Sequence, residues 1–148
     1  MLIALDFDGV IVSQKGRRFS DVTTPLQFLP YAREGVARLK KAGHTLVIFS
    51  ARSNRSLLYT ADWDPLVRAG VKRPNEAAWS QARDLHWARY QQMVKFIESE
   101  LAGLIDAIDD GLQGKPLADL FVDDRAAEFG VGAKGWLELA HLYGAAQE

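Results

Sequence analysis

The stretch LIALDFDGVIV, residues 2–12, decides the architecture. Leu2, Ile3, Ala4 and Leu5 run without polar alternation, the pattern of a short strand buried on both faces in a parallel sheet. The run ends in two carboxylates, Asp6 and Asp8, with Phe7 between them and Gly9 behind. Two acids at close range are unfavourable unless something positive sits between them or one holds a proton. A buried strand that carries such a pair at its end therefore points to a site there.

Working outward, the same pattern recurs. Thr45–Phe49, TLVIF, is a second buried strand and stops at Ser50. Leu104–Ile108 reads as a third, and Ala118–Val122 as a fourth that stops at Asp123 and Asp124. Pro30 is placed to open a helix running through Tyr31, Val36 and Leu39 to Ala42, with Gly43 as its stop. His86, Tyr90, Met93, Val94, Ile97 and Leu101 keep helical spacing, which predicts a helix from about Ser80, its N-cap, to Leu101, with Gly103 beyond. Trp136–Leu142 reads as a terminal helix. Strand, helix and strand in alternation predict an α/β domain: a three-layer Rossmann-like core, its mostly parallel sheet covered by helices on both faces.

The residues at about 53–80 fit this scheme least well. Leu57, Leu58, Trp63, Leu66 and Val67 suggest a short helix, with Asp64-Pro65 as a break or a new start, and Val71–Asn75 reads as loop. A single domain over residues 1–148 with a small insert here is the expected organisation. No repeat, low-complexity tract or linker stands out.

The totals narrow the classes. At 148 residues the chain is long enough for one self-sufficient core. A net charge of −1 gives no global field for nucleic acid or an anionic membrane. The absence of cysteine removes disulfides, thiolate metal sites and a thiol nucleophile. Acids interrupt the N-terminal apolar stretch, so it does not read as a signal peptide, and no apolar run approaches the length of a membrane span. A cytoplasmic protein is the expectation.

In an open parallel sheet, ligands bind beyond the carboxyl ends of the strands. If the first, second and fourth strands are neighbours, Asp6, Asp8, Asp123, Asp124, Ser50 and Arg52 face one crevice. Such a gathering of acids calls for a hard divalent cation, and Mg²⁺ suits one or two carboxylates with water and phosphate oxygens. Lys115, in the loop before the fourth strand, adds a second positive charge. This combination suits phosphoryl transfer: one carboxylate attacks phosphorus, a second moves the proton, and a hydroxyl and backbone amides hold equatorial oxygens.

Four motifs in order, DFDGV at Asp6–Val10, FSAR at Phe49–Arg52, GKP at Gly114–Pro116 and FVDDRA at Phe121–Ala126, resemble the signature of the haloacid dehalogenase-like phosphatases. The short intervals between them are most similar to the small cap-less branch of that family. The resemblance implies Asp6 as nucleophile and Asp8 as general acid/base, with a backbone carbonyl on Mg²⁺. It also implies that Ser50, Ala51 and Arg52 bind the phosphorylated substrate, that Lys115 stabilises the intermediate, and that Asp6, Asp8, Asp123 and Asp124 form the metal site. Which of Asp123 and Asp124 ligates directly stays open.

The implied substrate is a phosphorylated small molecule or nucleotide. The SAR and DDR segments resemble parts of nucleotidases and polynucleotide 3′-phosphatases, which would admit a nucleic-acid end. A site without a cap suits a bulky substrate or a homo-oligomer whose second copy supplies the lid. A non-catalytic phosphate-binding module is the competing class. Plainer roles stand beside these: Ser50 as a helix cap, Arg52 as a surface arginine, Lys115 as a solvated lysine, Asp123-Asp124 as turn acids, and Lys15, Arg17 and Arg18 as a solvated turn. Arg125 would clamp a carboxylate. His44, His86, Trp63, Trp79, Trp87 and Tyr90 read as structural or interface residues.

Overall fold

The computed structural model describes residues 1–53, 65–111, 115–124 and 133–144. Its elements are β1 (Leu2–Leu5), α1 (Ala32–Lys41), β2 (Thr45–Ile48), a 3₁₀ turn (Ala51–Ser53), α2 (Pro65–Arg68), α3 (Glu76–Glu100), β3 (Ala107–Ile108), β4 (Leu120–Val122) and α4 (Ala133–Tyr143). The strands form one parallel sheet in the order β3-β2-β1-β4. The chain is an α/β protein, and β1 lies between β2 and β4 as the site requires.

Register sorts the side chains. Ile3 pairs with Leu46 and Leu120, and Leu5 pairs with Ile48 and Val122. Paired residues in a parallel ladder share a face, because side chains alternate along each strand. That face merges into one core with Val36 and Leu39 of α1, Met93 and Ile97 of α3, and Trp136 and Leu139 of α4. The opposite face carries Ala4, Phe121 and Asp6. Among the described residues, the core-forming side chains of the three long helices all belong to the first face. Residues 54–64, which include Leu57, Leu58 and Trp63, and Arg125 lie outside the described residues.

Element ends differ from the sequence expectation for local reasons. The long helix begins at Glu76, with Asn75 as N-cap: the Asn75 side chain accepts a hydrogen bond from the Ala78 amide at 3.0 Å. Ser80 sits inside the helix. The exposed first turn carries no apolar stripe, so periodicity does not reveal it. Tyr31 precedes α1 in a left-handed conformation, φ 64°, and the helix proper starts at Ala32 rather than Pro30. Strand β3 is shorter than Leu104–Ile108, because the chain turns at Gly103 and Leu104 and pairs only from Asp106, whose amide donates to the Leu46 carbonyl at 2.8 Å. The Asp106 carboxylate also accepts from the Leu46 amide at 2.8 Å and binds Lys40, tying the sheet edge to α1. At β4, Asp119 plays the same part, accepting from the Leu2 amide at 2.7 Å.

Residues 13–27 form a loop closed at its base by the Ser13 amide on the Gln27 carbonyl, 2.9 Å. Arg17 braces it from within, donating to the carbonyls of Asp21, Thr24 and Pro25. The solvated-turn expectation therefore fails for Arg17, because a tight loop leaves inward carbonyls that need donors. His44 is structural, with its ring against the N-terminal amine and the Tyr143 carbonyl.

Trp136 is fully buried, lies against Gly35 where any β-carbon would collide with its ring, and donates its indole N–H to the Val10 carbonyl. It therefore joins α1, α4 and the segment that follows the two acids. Trp136→Ala should cost about 3–5 kcal/mol in chemical denaturation; a loss below about 1 kcal/mol would deny it this role.

Candidate active site

Asp6, Asp123 and Asp124 come from the carboxyl ends of adjacent strands, and each offers an oxygen such that all three oxygens lie within 4.8 Å of one another. The ladder continues past the strands into the site: the Asp6 amide donates to the Val122 carbonyl at 2.9 Å. Asp6 Oδ1 accepts the Phe7 amide at 2.8 Å, which fixes the carboxylate's orientation. Burial pushes the Asp6 carboxyl up to about 7, and the charges of Asp123, Asp124 and Asp8 push the same way against the Phe7 hydrogen bond. Ligand oxygens around Mg²⁺ stand roughly 3 Å apart when adjacent and about 4 Å when opposite. The triad's oxygens are near that range, and its charge excess is what a divalent cation neutralises, so the donor set fits Mg²⁺.

Gly9 makes this cluster sterically feasible. It adopts φ +80°, and a β-carbon there would stand 2.5 Å from Asp124 Oδ2. Glycine is thus required twice, for its backbone angle and for the space that Asp124 occupies.

A crevice of about 730 Å³ opens over the triad. Asp6, Asp8, Ser50, Ala51, Lys115, Asp123 and Asp124 all line it, so the structure brings together every expected site residue except Arg52. Ser50 follows β2, with its hydroxyl oxygen accepting the Arg52 amide at 3.2 Å and its carbonyl accepting the Ser53 amide at 3.0 Å. The capping role and the crevice position therefore coexist, since a hydroxyl that accepts one bond still has a proton to donate. Lys115 is exposed, and its ammonium lies 4.0 Å from the Phe121 ring centre.

Arg52 is neither a surface arginine nor a crevice residue. It is 2% exposed, and its guanidinium grips Asp8 with two bonds, Nε to Oδ2 at 2.8 Å and Nη2 to Oδ1 at 2.7 Å. Its Nη1 donates to the Arg89 carbonyl and to Gln92 Oε1. Asp8 Oδ1 also accepts from Gln14 at 2.6 Å, and Arg89 Nη2 lies 3.7 Å from Oδ2. Arg89 is itself buried; that burial and the neighbouring Arg52 charge lower its pKa, while Asp8 opposes the shift. The Asp8 side chain is thus tied to cations, whereas the described carboxylates grouped as metal ligands are Asp6, Asp123 and Asp124.

Sequence reading passed over Arg89, Gln92, Gln14 and Ser53. Arg89 sits in the buried stripe of α3 between His86 and Met93, where a charged residue breaks the apolar rule and thereby signals a partner. Ser53 is 1% exposed and lines the crevice, and its hydroxyl has no hydrogen-bond partner among the described residues. A buried hydroxyl in that state is a ready contact for a polar ligand atom. Comparison with protein-family models, with characterised proteins and with solved structures yields no match for this chain.

Two substitutions should separate the acids. In the metal-free protein, Asp6 keeps its proton between about pH 4 and 7, while the unfolded chain has lost it. Stability from this group therefore falls as pH rises through that window and is gone above about 7. At pH 8, Asp6→Asn should raise the melting temperature of the metal-free protein. Asp8→Asn should lower stability by about 3 kcal/mol, because two buried guanidiniums lose their counter-charge. Equal shifts of one sign in thermal unfolding would refute the contrast. For a triad that holds Mg²⁺, Gly9→Ala should weaken binding, read by calorimetry at pH 8, by roughly tenfold or more; unchanged affinity would mean that Asp124 is not one of the ligands.

Proposed function

We propose that this chain is a Mg²⁺-dependent phosphomonoesterase of the haloacid dehalogenase-like kind, acting through an aspartyl-phosphate on Asp6. The Rossmann-like reading of the α/β core belongs to the same proposal. The observation that carries it is the convergence of Asp6, Asp123 and Asp124 within 4.8 Å, at the ends of adjacent strands, in a crevice shared with Ser50 and Lys115. A cluster of acids alone would repel a phosphate ester; this one sits beside a lysine and has the donor set of a divalent-cation site.

Asp6, Asp123 and Asp124 would hold the Mg²⁺, whose bound charge draws the phosphate dianion in and offsets charge developing on its oxygens. In the proposed reaction an oxygen of Asp6 attacks phosphorus as the bond to the ester oxygen breaks. Asp8 is the group that passes a proton to the departing alkoxide. Water then attacks the aspartyl-phosphate, Asp8 takes back a proton, and the phosphorus–Asp6 bond breaks to release inorganic phosphate and restore the carboxylate. Ser50 and the Ala51 backbone would hold phosphate oxygens, and the Lys115 ammonium would leave the Phe121 ring to meet the phosphate.

Turnover of p-nitrophenyl phosphate tests this. Wild-type protein with Mg²⁺ should release nitrophenol. Removing the metal with a chelator, or making Asp6→Asn, should lower the rate at least about 1000-fold. Activity that survives Asp6→Asn would overturn the proposal. Phosphate binding without turnover in the wild type would instead identify a binding module. A parallel screen of sugar phosphates, nucleotides and 3′-phosphorylated DNA ends assigns the substrate class.

A further inference from the structure

Resting on the phosphatase reading, a second shell of buried charge has a definite task. We propose that Arg52 and Arg89 are positioning residues for Asp8, which hold its carboxylate at the crevice and link that position to the loop of residues 13–27.

The hydrogen bonds specify one placement. Four of the bonds made by the Arg52 side chain are accounted for: two on Asp8, one on the Arg89 carbonyl and one on Gln92. A guanidinium is planar and rigid, so a fork held at both ends cannot rotate without breaking bonds in a nearly dry setting. Asp8 Oδ1 takes two donors, Arg52 at 2.7 Å and Gln14 at 2.6 Å, and both of its in-plane lone pairs are engaged. Oδ2 takes one donor, at 2.8 Å, with Arg89 at ion-pair distance only. Oδ2 is therefore the less crowded of the two oxygens.

A purely structural ion pair has no reason to keep one member at the ligand site. Here the Arg52 side chain is 1% exposed and that of Asp8 23%, and Asp8 lines the crevice. The cations hold the acid from behind and leave an edge of it open. Arg89 extends the arrangement outward: its Nη1 donates to the Phe19 carbonyl at 2.8 Å, and its guanidinium lies 4.0 Å from the Phe19 ring centre. Gln92 repeats the link, bonding Arg52 with its oxygen and the Thr24 carbonyl with its nitrogen. Arg89 and Gln92 lie three apart on α3, on one side of the helix. One helix face thus grips the loop and the acid's clamp together.

Leaving-group dependence reads this role. An alkyl phosphate needs a proton on its departing oxygen, whereas p-nitrophenolate leaves without one. Arg89→Met keeps the length and removes the charge. It should lower kcat for an alkyl phosphate at least about tenfold more than kcat for p-nitrophenyl phosphate, with KM changing less than threefold. Equal losses on both esters, or no loss on either, would overturn the proposal. Phe19→Ala alters a residue that is 65% exposed and leaves the core intact; it keeps the carbonyl bond to Arg89 but removes the ring packed on its guanidinium. It should shift the same ratio in the same direction by about threefold, and an unmoved ratio would count against the link to the loop. A double-mutant cycle of Asp8→Asn and Arg89→Met in thermal unfolding needs no turnover. Coupling between the two supports the positioning pair, and additivity refutes it. Absence of turnover in the wild type would end the phosphatase reading and leave this cycle to decide the pair.

Discussion

Parallel pairing of β1 with both β2 and β4 is the constraint on which the rest of the molecule depends. Strands that run the same way end at the same edge, so whatever follows each strand in the sequence meets there. Asp6 and Asp123 are far apart along the chain and become neighbours through ladder register, and Ser50 follows Phe49 at the same sheet edge. The same register sends Ile3, Leu5, Leu46, Ile48 and Val122 into the core, so the hydrophobic burial that stabilises the sheet also places the acids. A slip of one residue in β4 would turn Val122 out of the core and Asp123 out of the cluster together.

Two carboxylates two residues apart have been given opposite surroundings. Asp6 is buried and crowded by other acids, and its carboxyl is pushed up to about 7. Asp8 is surrounded by donors, two of them buried arginines. Phe7 separates them: its side chain is fully buried, and the Arg52 guanidinium lies 5.2 Å from its ring centre. In the proposed chemistry one group must attack and the other must transfer a proton, so divergent environments are what the pair requires. The cost is an acid cluster that opposes folding when no cation is present, a pattern expected of sites that place function ahead of stability.

Much of the fold can be read directly from residues. Apolar runs that end abruptly in Asp6, Ser50 and Asp123 mark three strands, and their shared ending marks the crevice. The helices were legible wherever they bury a periodic stripe, as in α1 and the later turns of α3. Boundaries were legible only where pattern and capping coincide. Asn75 caps a first turn that is solvent-exposed, so the signal there is chemical and not periodic. The shortening of β3 follows from Asp106 substituting its carboxylate for part of the ladder, a choice invisible in an apolar run.

The sequence by itself determined the parallel α/β class, the strand ends and the identity of the crevice acids, because hydrophobic periodicity and strand-end chemistry are local signals; that β1 lies between β2 and β4 came from the structure. Only the tertiary structure decided what each charge does. Arg52 could be a surface or a substrate-facing residue until its burial and its bonds to Asp8 were known. Arg89 and Gln14 had no visible role until the loop and α3 were placed around the same carboxylate. Coulomb energy depends on separation and surroundings in space, and neither is encoded in the spacing of residues along the chain.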